Sequence, residues 1–335
     1  MVMSLHLYCL DARLLSASAQ RGATWFSVAN LPKFVPRMCT KYDTLLFMIY
    51  ARILMCGMSS QNITTPVFGK HVVYDCPNEM LMEQKKFVKF GLSTENFRVY
   101  MHMIQEETTQ MFQTDSNFNA LNSPANEWGS FHCLNAMSEL IIFTASRTLQ
   151  GAEVRSRLDK TFAQRYADLD GGFKPMNLFF PNLPLPSYWK RDKAQKAMSE
   201  FYQDIIRARR EGNHEHDHDM LSALSEQKYR DGRVLSDVEM AHIMIALLMA
   251  GQHTSSATSS WSLLHLAARP DVQEQLYQEQ VRVCGQKDGS LRLMEYEDLK
   301  DMPILDSAIR ETLRMHPPIH SILVRFFASC DVDWD

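Results

Sequence analysis

The sequence lacks any C-x-x-C pair, any surplus of basic residues, and any uninterrupted apolar run long enough to cross a bilayer. Its seven cysteines, Cys9, Cys39, Cys56, Cys76, Cys133, Cys284 and Cys330, are odd in number and widely spaced. That spacing excludes a zinc knuckle and a disulfide framework, and points to reduced thiols. Lys and Arg total 35 against 39 Asp and Glu, a net charge of −4, which excludes a nucleic-acid binder held by a broad basic surface. A membrane span needs ~20 apolar residues. The nearest approach, Leu45 to Met58, is shorter and is interrupted by Arg52, so it reads as a buried core segment, with a membrane-associated segment as the alternative. Residues 1–40 are poor in acids and carry Arg13, Arg21, Lys33 and Arg37, a faint likeness to a transit peptide. Asn62-Ile63-Thr64 is a glycosylation triplet of a kind common by chance.

What is present is an ordinary globular composition with one skew, 21 methionines, which suits adaptable packing in a core or around an apolar ligand. Residues 1–63 show no sustained period. TTPVFGKHVVYDCP, from Thr64, reads as a loop with extended pieces. Helices are expected over Asn96–Phe112, Phe131–Leu149, Ala152–Ala167 and 190–211. The prolines of FFPNLPLP, Phe179 to Pro186, impose an extended loop. His214, His216 and His218 alternate with acids, a pattern that suits either a metal or, as the plainer reading, a solvated linker. Ser236 and Glu239 form a capping box that opens the longest helix, which runs to Arg269. Pro270 opens the next, to Cys284-Gly285, and a last helix runs from Ile304 to Met315, before Pro317-Pro318. The chain is mainly α, and one domain is the simpler reading.

The long helix is apolar on nearly all sides at first, then turns small and polar at Gly251-Gln252-His253-Thr254-Ser255-Ser256. Gly251 weakens a helix by about 1 kcal/mol relative to Ala and leaves room for something flat. Thr254 can bond back to the carbonyl of Ala250 and bend the helix. Small-residue helix packing and a ligand-facing notch explain the patch equally well. Glu311 and Arg314 share one face of the last helix, and a buried ion pair there would fix register more than it stabilises.

These residues resemble a known family. Ala250-Gly-Gln-His-Thr-Ser255 resembles the long-helix centre of the haem-thiolate monooxygenases, the cytochromes P450. Glu311-Thr-Leu-Arg314 before Met-His-Pro-Pro318 resembles their E-x-x-R helix. With TTPVFGKHVVYDCPN, LMEQKKFVKFGL, FFPNLPLPSYWKRD and AGQHTSSATSSW, the chain is similar to the fungal sterol 14α-demethylases over about Thr64 to Leu323. The resemblance implies a cytochrome P450-type helical fold, a b-type haem (heme b), and electrons from NADPH through a reductase. It implies three successive oxidations that remove the sterol 14α-methyl group, with azole drugs as inhibitors, at the cytosolic face of the endoplasmic reticulum membrane. By position, Tyr74 and Lys85 reach the haem propionates and Gly251 lies over the haem. Thr254 holds dioxygen and its water, and His253 serves the proton supply. Phe68, Ile319 and Ser321 line the sterol pocket, FFPNLPLP edges its access path, and Glu311 with Arg314 locks the core beneath the haem.

The chain also departs from the family pattern. The family's cysteine ligand follows the E-x-x-R helix in a Phe-Gly-rich loop with no counterpart among the seven cysteines. Val324 stands where an arginine is expected, with Arg325 one place late. No anchor helix, first sheet or upstream tyrosine is evident in residues 1–63. The expectation is therefore a truncated, incomplete member, with residues 64–323 a partial catalytic domain and 1–63 and 324–335 unmatched. Such a chain would be inactive for want of the haem cysteine. The alternative from another class is a non-catalytic helical fragment or pseudoenzyme without haem.

Overall fold

The computed structural model describes residues 61–73, 75–119, 129–158, 160–172, 184–211 and 219–319. The Leu45–Met58 run, the histidines of 214–218, most of FFPNLPLP, Tyr74, Ser321 and Cys330 lie outside them. Among the described residues the fold is helical, with two isolated β-bridges, Lys228 with Val234 and Gly285 with Leu291.

The helices are α1 (Gln61–Phe68), α2 (Asn78–Lys89), α3 (Thr94–Thr114), α4 (Cys133–Ala145), α5 (Ala152–Ser156), α6 (Lys160–Asp170), α7 (Pro186–Glu211), α8 (Met220–Ser225), α9 (Asp237–Ala267), α10 (Pro270–Cys284) and α11 (Pro303–Met315). Their ends follow side-chain chemistry. The Ser236 hydroxyl accepts from the Glu239 N–H at 3.2 Å, and the Glu239 carboxylate accepts from the Ser236 N–H at 2.9 Å, so the expected capping box opens α9. Pro270 and Pro303 stand at the first turns of α10 and α11, where the missing N–H costs nothing. The start of α11 is capped from outside: the Glu279 carboxylate on α10 accepts from Ile304 N–H at 2.8 Å and Leu305 N–H at 2.9 Å.

Two expectations change. Thr64 to Phe68 belong to α1, which continues through Pro66, rather than to a loop. The helix expected over Ala152–Ala167 is two, α5 and α6. The break lets Leu158 turn onto the main core, a tertiary contact that periodicity does not announce. A further feature is a π-turn over Ser146–Gln150 that extends α4. Such turns change which face a helix presents, and this one delivers Gln150 to the interior, fully buried.

The chain packs around α9. The largest cluster joins α1, α6, α7 and α8 to the first half of α9, through residues such as Val67, Tyr166, Tyr202, Met240, Met244 and Leu248. A second joins the start of α3 to α10, α11 and Leu266. A third joins the end of α3 and the start of α4 to Leu263. Because α9 contributes to all three, its rotation decides what is buried and what is left open.

Candidate functional site

Between Glu239 and Ala267, α9 is buried except at Ala246, Leu247, Ala250, Gly251, His253, Thr254, Ala257, Trp261, Leu264 and His265. At 3.6 residues per turn these fall on one stripe, with Thr254 near its middle and His253 and Gly251 on opposite rims. The reverse face carries Gln252, Ser255, Ser256, Ser259 and Ser262, all buried. The small-residue patch is thus two things at once. Its back packs in the interior and its front is an open notch.

The notch has the local chemistry expected from its residues. The Thr254 hydroxyl donates to the Ala250 carbonyl at 2.8 Å, and Thr258 repeats the bond to Thr254 at 2.8 Å. Successive bonds of this kind draw on carbonyls of the helix ladder and bend it. A Cβ placed on Gly251 would meet nothing nearer than Leu149 Cδ1, at 3.9 Å. The chain's own described packing does not require glycine there, so the space is available to a flat group.

His253 stands on the rim toward α6. It is 67% exposed, and its Nδ1 lies 3.7 Å from Asp170 Oδ1, so it is not a core histidine. Further along the stripe, Trp261 stacks flat on His316, with ring centroids 3.7 Å apart, and His265 stands 5.1 Å from His316. Partial burial pushes both imidazoles down from their ordinary value.

Of the other sequence-assigned residues, Phe68, Lys85, Ile319, Glu311 and Arg314 are among the described ones. Phe68 ends α1, half-buried against the main core, and α1 packs on α7 and α9. Lys85 is exposed on α2, which packs on α8. Ile319 is 69% exposed. Glu311 and Arg314 do pair, through two bonds of 2.7 Å. The buried lock expected of them is corrected: their side chains are 52% and 68% exposed. The buried side of α11 carries Leu305, Ile309 and Thr312, and the pair is turned away from it.

The open, small-residue front of α9 fits the face of a porphyrin. None of the three described cysteines lies on α9: Cys76 precedes α2, Cys133 opens α4 and Cys284 closes α10. Burial raises the thiols of Cys76 and Cys133, and burial with Asp298 pushes Cys284 up to about 11. Among the described residues no group of three His, Cys, Asp or Glu stands at metal-holding spacing.

Sequence reasoning missed Asp170 as the neighbour of His253, and Tyr166 as the partner of Gln252 behind the notch. Asp170 gives the one retrievable signal. A carboxylate in the last turn of a helix opposes the macrodipole, so its presence there asks for another reason.

The family model for cytochrome P450 matches residues 58–333. The lanosterol 14-alpha demethylase of Mycosarcoma maydis is 57% identical over 270 residues, 78% of this chain and 48% of that protein. The lanosterol 14-alpha demethylase of Candida tropicalis is 48% identical over 263 residues, and the eburicol 14-alpha-demethylase of Uncinula necator 47% over 264. The chain spans about half the length of the curated relatives it matches. In structure it is similar to a retinoic acid-bound cyanobacterial CYP120A1, with a TM-score of 0.60 at 20% identity over 76% of this chain and 53% of that one, a likeness of fold. A family match across most of the sequence, joined to a helical fold centred on a notched long helix, means that this chain belongs to the cytochrome P450 family.

Proposed function

We propose that this chain carries the oxygen-side wall of a sterol 14α-demethylase, working at the cytosolic face of the endoplasmic reticulum membrane with a reductase partner. The observation that carries the reading is the open stripe on an otherwise buried α9, with Gly251 and Thr254 in it. The 57% identity to a lanosterol 14-alpha demethylase supports the substrate class. Bound haem would supply oxidation of the sterol methyl group by dioxygen, with electrons that originate in NADPH. The protein's part is geometric and protonic. Gly251 keeps the space over the porphyrin clear. Thr254, parked on the Ala250 carbonyl at 2.8 Å, can swing its hydroxyl to a ligand in the notch and offer a proton at Oγ1. His253, exposed and beside Asp170, can take a proton from water and hold it one residue from Thr254. Tyr74 and Lys85 are proposed for the propionates, and Phe68, Ile319 and Ser321 for the sterol. Residues 64–323 are proposed as the part of the catalytic domain that this chain carries. Among the described residues no helix is long and apolar enough to cross a membrane.

A second reading has one observation in its favour. None of the seven cysteines is set in the Phe-Gly-rich surroundings that the resemblance leads one to expect of the iron ligand, which suits a protein of this family that does not turn over. One experiment separates the two. The chain is loaded with haem, then titrated with a lanosterol-type sterol and with an azole while haem absorption is followed. Saturable spectral shifts with both ligands support the first reading. A haem spectrum indifferent to both contradicts it and leaves the second. Reduction under carbon monoxide adds the ligand identity, since a thiolate-type band would show that one of the chain's own cysteines takes the iron and would overturn the second reading.

A further inference from the structure

Four buried polar side chains outside the notch converge on the back of α9. The Tyr166 hydroxyl on α6 donates to Gln252 Oε1 at 2.7 Å. The Tyr202 hydroxyl on α7 donates to Gln150 Oε1 at 2.9 Å, and Gln150 Nε2 donates to the Met244 carbonyl at 3.1 Å. All four residues are at least nine-tenths buried. Burial pushes both phenols well above their ordinary value, so both remain protonated donors. These are specific bonds in an apolar interior, and an amide deprived of its partner there is costly.

The arrangement has a consequence for the rim of the notch. Tyr166 and Asp170 are four residues apart, on one face of α6. Their partners on α9, Gln252 and His253, are adjacent in sequence. The buried bond therefore sets the helix rotation at which the neighbouring exposed imidazole meets its carboxylate. The second brace, at Met244, pins α9 two turns earlier. An exposed pair 3.7 Å apart cannot do this work itself, because such pairs are worth little and are screened by salt. We infer that Tyr166, through Gln252, is a positioning residue that holds His253 against Asp170, with Tyr202 and Gln150 bracing the helix before the notch. The inference rests on the reading of His253 given above and adds the residues that fix its place.

Imidazole NMR of the full 335-residue chain, at one fixed pH, reads the pair directly. Asp170→Asn displaces the His253 ring resonance by removing the adjacent charge. Tyr166→Phe displaces it in the same direction, by at least about half as much, and leaves the His242 and His265 resonances unmoved. Amide exchange at residues 254–256 quickens about tenfold in Tyr166→Phe. Gln252→Met removes the same bond from its other end and gives the same displacement, which covers the case in which Tyr166→Phe does not fold. In Tyr166→Phe/Gln252→Leu no buried amide is left unpaired. Its melting temperature returns to within about 2 °C of the parent, yet the His253 resonance stays displaced. Recovery of both would show a purely structural role and overturn the proposal, as would an unmoved His253 in Tyr166→Phe and Gln252→Met when Asp170→Asn moves it. An unmoved His253 in Asp170→Asn as well would overturn the His253–Asp170 reading beneath it.

Discussion

At the scale of single residues, Thr254 and Gly251 contribute to the notch and little to the fold. The Thr254 side chain makes one local bond, to the Ala250 carbonyl, so Thr254→Ala should cost no more than about 1 kcal/mol of stability by chemical denaturation. The Glu311–Arg314 pair is exposed, so Glu311→Ala should leave the denaturation midpoint unchanged within error. A large drop would show that the pair is a buried lock after all. Residue identity also marks where the sequence was legible. The bend-prone Thr254 and the flat space at Gly251 follow from side-chain chemistry alone. The partner of His253 does not, because Asp170 lies on another helix and no spacing links them.

At the scale of elements, α9 was legible end to end. A capping box, a buried apolar half and a proline just past its end are local signals, and the helix obeys them. The split of α5 from α6 and the continuation of α1 through Pro66 were not legible, because tertiary contact outweighs local pattern there. The π-turn that swings Gln150 inward has no signature in the sequence either. Glu279 is the element-scale contact most exposed to test, since one carboxylate serves two backbone donors of α11 and is itself buried. Glu279→Ala should lose about 3 kcal/mol, seen as a lower urea midpoint at unchanged slope. A loss under about 0.5 kcal/mol would show that water replaces the cap without cost.

At the scale of the whole molecule, three apolar clusters meet on α9, and titratable groups sit between them. Burial holds His242, His265 and His316 below the ordinary histidine value of 6.5. The unfolded chain therefore binds more protons as pH falls through 6.5, and stability must fall with it. Glu239 adds a second step. Burial alone would raise its carboxyl, but Ser236 and Arg233 outweigh burial and hold it below the ordinary 4.5. Its contribution is present above that pH and is lost as the medium becomes more acid. Denaturation midpoints should decline from pH 6.5 downward, with His242→Gln flattening the first part. A midpoint constant from pH 7 to pH 5 would refute the lowered titration of His242, His265 and His316.

The claim on which the functional account turns is that the open front of α9 receives a porphyrin. A haem titration followed at the Soret band, comparing the parent chain with Gly251→Leu, tests it. Gly251 has free space before it, so the variant should fold as the parent does. The account predicts saturable binding to the parent and at least about tenfold weaker binding to the variant, the effect of ~1.4 kcal/mol from filling the space. Equal affinity in the two chains, or no saturable binding in either, would contradict it.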